Sequence, residues 1–252
     1  MRNLLWFSDK NFGDHLSPLI FKYFSQQQPI HCGILVKEKK YVAVGSILNH
    51  ARKNDIVWGS GIANANDNIQ EGVDIRAVRG PLSRKRCQQL NIPCPEIYGD
   101  PAIILSSIYK PKVDKKYKIG FTPHIVDYDI CYNKYKDHKN SIVIDFRKSP
   151  QKIIHDMLSC DYIVSSSLHG LIVADSYKIP NLWVKFSTKI IGDDTKFYDH
   201  LLTVDKTNTT FLNLINSIKK EEELLDYLER VEICKYTEND VQKLVEACPF
   251  KL

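Results

Sequence analysis

The sequence predicts an α/β fold in two units, each with a mainly parallel sheet, and three observations carry that prediction. Short apolar runs alternate with helical stretches along the chain, the pattern of strands joined by crossover helices. A charged segment without periodicity, SSIYKPKVDKKY at 106–117, divides the pattern in two. The junctions where strands pass into helices collect Gly, Asp, Arg and His, as at the carboxyl edges of nucleotide-fold sheets.

The predicted strands, in order, are 3–7 (NLLWF), 40–46 (KYVAVGS), 55–61 (DIVWGSG) and 74–80 (DIRAVRG) in the first half. In the second they are 118–124 (KIGFTPH), 141–147 (SIVIDFR), 161–167 (DYIVSSS) and 181–186 (NLWVKF). Helices are expected at 14–25, 81–90, 150–159, 169–178, 209–230 and 237–247. Ser149 and Pro150 supply an N-cap and a first-turn proline for the third of these. The two units are expected at 1–108 and 109–252, Rossmann-like and facing each other across a cleft, with the C-terminal helices in the second.

Composition narrows the function classes. The chain has 252 residues, 35 basic and 30 acidic, for a net charge of +5. That balance is too mild for a nucleic-acid binder, whose basic residues crowd one face. The lysine clusters at 37–40 and 110–118 read as solvated loops, with a membrane surface or a phosphorylated substrate as the other reading. Seven cysteines, an odd number without a CxxC pair, argue for reduced thiols rather than a disulfide framework or zinc site. With no signal-peptide core and no run near ~20 apolar residues, a soluble, cytoplasmic protein is expected.

Four junctions carry the candidate chemistry. After the first strand, Gly13 allows close backbone approach, and Asp14 is either a helix N-cap or a substrate-binding carboxylate. Arg79 precedes a Gly-Pro turn beside a helix N-terminus, a combination suited to a carboxylate or phosphate. Asp100, in Gly99-Asp100-Pro101, is read as a turn residue bonding backbone N–H groups. In the last junction Ser165, Ser166 and Ser167 end a strand and His169-Gly170 opens a helix, placing an imidazole at the cleft mouth. Taken alone, His169 is either a general acid or a capping and packing residue.

The order of the segments NFGDHLSPLI, VAVGSIL, VWGSGI, AVRGPLSRKR, YGDPAIIL and VSSSLHGLIVADSYKIPNLWV resembles the polysaccharide pyruvyl transferase family, over about residues 9–200. The resemblance implies a glycosyltransferase-B-like fold and transfer of a pyruvyl group from phosphoenolpyruvate to a sugar, forming a cyclic ketal. It puts the family's catalytic and donor-binding histidine on His169, with Leu168 beside it. Ser167 stands where relatives often carry an arginine, so Arg79 is expected to meet the donor's anionic end. Asp14 is expected to act on the acceptor hydroxyl, and Gly13, Ser166, Ser167, Leu168 and Gly170 to line the substrate. No cofactor or metal is expected. The implied partners are phosphoenolpyruvate and a sugar acceptor of bacterial surface-polysaccharide synthesis, carried on a polyprenyl diphosphate at the membrane's inner face, where the lysine-rich stretches would make peripheral contact. Two rival readings remain: a nucleotide-sugar glycosyltransferase, and a non-catalytic carbohydrate-binding subunit.

Overall fold

A computed structural model of the chain describes residues 2–7 and 11–251. The first half holds β1 (Asn3–Leu5), α1 (Phe12–Ser25), β2 (Ile30–Cys32), β3 (Lys40–Val42), β4 (Ile56–Trp58), β5 (Asp74–Ala77), α2 (Pro81–Gln89) and α3 (Leu105–Ile108). The second holds β6 (Tyr117–Thr122), α4 (Tyr128–Tyr135), β7 (Ser141–Val143), α5 (Pro150–Leu158), β8 (Cys160–Ser165), α6 (Leu168–Ser176) and β9 (Asn181–Lys185). It continues with α7 (Thr195–Thr203), β10 (Leu212–Asn213), α8 (Glu221–Leu228) and α9 (Glu238–Glu246).

Every strand pairing is parallel, and the two sheets have the same connectivity. The orders are β2-β1-β3-β4-β5 and β7-β6-β8-β9-β10, each reversing direction after its first strand. The protein is therefore α/β with two Rossmann-like units, consistent with a glycosyltransferase-B-like arrangement. Each sheet has one switch point, between β1 and β3 and between β6 and β8, where the following loops part to opposite faces and leave a crevice.

β4 is buried along its whole length, as a strand covered by helices on both faces must be. A continuous apolar core runs from Leu4, Phe12 and Trp58 in the first half to Ile163, Leu171 and Trp183 in the second. The C-terminal segment returns to the first sheet. Trp58 Nε1 donates to the Leu244 carbonyl at 2.8 Å, and the Phe250 ring lies 4.7 Å from Phe21 and 5.4 Å from Trp58. All seven cysteines are free, and six are buried.

Several expected strands are shorter than their apolar runs. Residues 43–46 and 166–167 leave their ladders at the carboxyl edge, where Gly45 takes φ +106° and Ser167 becomes the N-cap of α6. The helix expected at 209–230 is instead β10 followed by the shorter α8. β10 pairs only two residues on β9, too few to show a period of two. α3, α4, α7 and β2 were not expected, and α3 runs into the segment 106–117 that the sequence marks as a linker. Asp194 precedes α7 with φ +67° and gives no side-chain cap, and Asp193 Oδ1 accepts from Thr195 N at 3.1 Å instead. Ser149 sits at the N-cap of α5 but makes no cap hydrogen bond, and Pro150 carries that helix start. Within the first lysine cluster, Lys40 is fully buried and pairs with Asp55 at 2.6 Å, so that residue is not a solvated loop cation.

Candidate active site at the two switch points

The loops after β1, β3, β6 and β8, the four strands flanking the switch points, converge on one cavity of about 120 Å³. Asn11 and Asp14 come from the start of α1, and Gly45, Ser46 and Ile47 from the loop after β3. His124 follows β6, and Ser167, Leu168 and His169 join β8 to α6. Lys196 and Phe197 on α7 complete the wall.

His169 is held by what lies on either side of its ring. Its Nε2 is buried without a hydrogen-bond partner and lies 3.7 Å from Asp100 Oδ2, beyond hydrogen-bond length but within strong ionic range. On the other side is Gly13, where a Cβ would sit 2.1 Å from His169 Nδ1. Gly13 therefore makes room for the ring, and any side chain there would displace it. α1 delivers this glycine because Asn11, not Asp14, is its N-cap, accepting from the Gly13 N–H at 3.4 Å. Asp14 lies in the first turn, three residues after the N-cap Asn11.

Asp100 combines a turn function with a second one. Its Oδ1 accepts from Ala102 N at 3.0 Å and its Oδ2 from Gly45 N at 2.8 Å. Burial acts to raise its carboxyl, but the adjacent His169 imidazole and the two amides outweigh burial and hold it below the ordinary aspartate value. A carboxylate thus stays charged under the imidazole. The sequence showed Asp100 only as a turn residue because its approach to His169 joins the two halves.

The cavity's cation is Lys196, which the sequence reading missed with the whole of α7. Desolvation first, and then the nearby Arg79 charge, push its ammonium below the ordinary lysine value. Its ammonium donates to the Ile191 carbonyl at 2.8 Å. His124, also missed, is pushed down to about 4 by burial, with Lys196 acting in the same direction. It is neutral at physiological pH. Its Nδ1 accepts from Val126 N at 3.3 Å, so Nε2 carries the proton as a donor.

Arg79 was expected to meet a ligand anion. It is fully buried behind the cavity, with Nη1 donating to Ser46 Oγ at 2.6 Å and Nη2 to the Ile62 carbonyl at 2.5 Å. Its Nε donates to Asp199 Oδ2 at 3.0 Å, and Nη2 pairs with the same oxygen at 3.0 Å. Asp199, on α7, also accepts from Leu82 N at 2.8 Å, Ser83 N at 3.0 Å and Ser83 Oγ at 2.6 Å. The arginine and the helix N-terminus do form an anion seat, but its anion is the protein's own Asp199.

The other expected residues divide in the same way. Ser167 and Leu168 line the cavity. Ser166 is buried one layer behind, donating to Asp127 at 2.8 Å and accepting from His124 N at 3.0 Å, which positions His124. Gly170 is a packing position, since a Cβ there would lie 2.2 Å from Ser165 Oγ. Among the described residues, no group of three or more His, Cys, Asp and Glu is placed to hold a metal ion, and no helix is long and apolar enough to cross a membrane.

A model of the polysaccharide pyruvyl transferase family matches residues 11–187. That span contains every cavity residue named above except Lys196 and Phe197. The chain is 28% identical over 234 residues to the uncharacterized protein L143 of Acanthamoeba polyphaga mimivirus, covering 87% of this chain and 79% of that one. It is also 28% identical over 227 residues to the succinoglycan biosynthesis protein ExoV of Rhizobium meliloti (strain 1021), covering 82% of this chain and 66% of that one.

Proposed function

Because the chain belongs to the polysaccharide pyruvyl transferase family, we propose that it transfers a pyruvyl group from phosphoenolpyruvate to two hydroxyls of one sugar in a polysaccharide precursor, forming a cyclic ketal. The observation that carries this reading is the chemistry of the cavity: a desolvated lysine, two histidines and one carboxylate around about 120 Å³. Pockets for drug-sized ligands run to roughly 300–1,000 Å³, so this space suits a small anion better than a nucleotide sugar.

In this scheme Lys196 and the His124 Nε2–H bind the donor's carboxylate and phosphate. Lys196 supplies the cation, and Ser167 leaves open the place where relatives carry arginine. His169 adds a proton to the methylene carbon of the enol, and positive charge develops at C2. Nδ1 is the nitrogen that does this, because Nε2 is turned to Asp100. Asp100 supplies the buried countercharge as the ring exchanges its proton, the orienting role of a third group behind an acid–base pair. Asp14 accepts the proton of the attacking sugar hydroxyl. Phosphate then leaves, the second hydroxyl closes the ring, and of the two hydroxyl protons one replaces the proton spent on carbon while the other leaves with phosphate.

The same reading keeps a polyprenyl-linked acceptor and a bacterial surface polysaccharide as its setting; the family and the relative named for succinoglycan biosynthesis support the polysaccharide. The decisive experiment is calorimetric titration with phosphoenolpyruvate, UDP, GDP and CMP. Phosphoenolpyruvate should bind alone, and Lys196→Met should weaken it about tenfold or more, equivalent to one lost charge-assisted contact. Binding of a nucleotide without phosphoenolpyruvate would move the assignment to glycosyl transfer. No binding of either would leave the non-catalytic reading in place.

A further inference from the structure

Asp127 does not line the cavity. It is fully buried behind it, and both of its oxygens are taken by hydroxyls rather than by a cation. It closes the one-turn 3₁₀ segment Ile125–Asp127 that follows β6, and its backbone N–H donates to the His124 carbonyl at 2.8 Å. Ser166, after β8, donates to Oδ2 at 2.8 Å, and Ser187, after β9, donates to Oδ1. β6, β8 and β9 are neighbours in the second sheet, so one carboxylate gathers the loops of three strands that span about 10 Å from first to last.

The direction of these bonds decides what they do. A carboxylate only accepts, so each serine turns its single proton towards Asp127 and keeps its lone pairs for a backbone N–H. Ser166 Oγ accepts from His124 N at 3.0 Å, and Ser187 Oγ accepts from Lys189 N at 3.0 Å. The first bond fixes the backbone of His124. The second fixes the start of the segment leading to α7, in which the Ile191 carbonyl accepts from the Lys196 ammonium at 2.8 Å. His124 and Lys196 thus share one anchor.

We propose that Asp127 is a positioning residue for donor binding: through Ser166 and Ser187 it sets the spacing between His124 and Lys196, the two groups that meet the donor's carboxylate and phosphate. The inference rests on the pyruvyl-transfer reading of the cavity. Burying a carboxylate costs desolvation that an uncharged residue would spare the fold. What the carboxylate supplies in return is two acceptor oxygens, whereas an amide offers one, its other end being a donor.

The test is calorimetric titration with phosphoenolpyruvate of the native chain, Asp127→Ala, Asp127→Asn, Ser187→Ala and the double variant Asp127→Ala with Ser187→Ala. Amide hydrogen exchange at His124 and Lys189 is followed by NMR in the same proteins. Asp127→Ala and Ser187→Ala should each weaken phosphoenolpyruvate binding about tenfold, the equivalent of one charge-assisted contact. The double variant should bind no more weakly than Asp127→Ala, because the serine acts through the carboxylate. Asp127→Asn should recover part of the affinity, since its carbonyl oxygen still holds one hydroxyl. Exchange at both amides should quicken in Asp127→Ala, and at Lys189 in Ser187→Ala. Native affinity in Asp127→Ala, or losses from the two substitutions that simply add, would overturn the proposal. Should Asp127→Ala fail to fold, native affinity in Ser187→Ala overturns it instead. Failure of the native chain to bind phosphoenolpyruvate would overturn the pyruvyl-transfer reading, and the exchange rates would then decide on Asp127: quickened exchange upholds it as the anchor of the two loops, and unchanged exchange at both amides overturns it.

Discussion

Replacing Asp199 by alanine should unlatch α7 from the first half of the molecule. Both charged partners are fully buried, and the carboxylate accepts from Arg79, Leu82, Ser83 N and Ser83 Oγ. Removing one partner of a buried ion pair costs about 3–5 kcal/mol, since the remaining charge keeps its desolvation penalty. The exposed amides of the α2 N-terminus put Asp199→Ala near the upper end, about 4–5 kcal/mol. Urea unfolding at neutral pH measures this directly. The double variant Arg79→Met with Asp199→Ala should lose clearly less, because no guanidinium is then left unpaired. Formate should bind the vacated seat and return part of both the stability and the phosphoenolpyruvate affinity, since α7 carries Lys196. A loss below about 1 kcal/mol would refute the reasoning, as that is the range of a solvent-exposed pair. A double variant no more stable than Asp199→Ala would refute it too.

Two further outcomes follow from the same geometry. Gly13→Ala should fold, since alanine favours a helix by about 0.5–1 kcal/mol over glycine, yet its Cβ would stand 2.1 Å from His169 Nδ1. The displaced ring should lower turnover by about 100-fold, a loss typical of 1 Å misplacement, and steady-state assay of phosphate release would show it. The His124 imidazole is pushed from an ordinary 6.5 to about 4, so between these values the unfolded chain binds a proton that the folded one does not. Stability should therefore fall as pH drops from about 6.5 to 4, by about 3 kcal/mol in all from this group. Across that range the native chain should lose about 3 kcal/mol relative to His124→Gln as pH falls, read from the unfolding free energies of the two. Parallel curves would show that His124 is not the source.

The alternation of apolar runs and helical stretches sufficed for the α/β class and for two Rossmann-like units, because burial periodicity is a local property of the chain. The junction after β8 was equally legible, since His-Gly following a run of serines can be seen without knowing what faces it. What faces it came only from the tertiary structure. Asp100 and Gly13 reach His169 through the packing of one half on the other, which no local pattern records. Arg79 shows the same limit in reverse: an arginine beside a helix N-terminus does mark an anion seat, but only the fold reveals that Asp199, 120 residues away along the chain, fills it. Lys196 was missed with α7, a helix of 9 residues that starts at Asp193-Asp194, a pair that in sequence marks a turn as readily as a helix start. The chain's local chemistry chose the fold and the histidine, and the docking of α7 chose which charges that histidine meets.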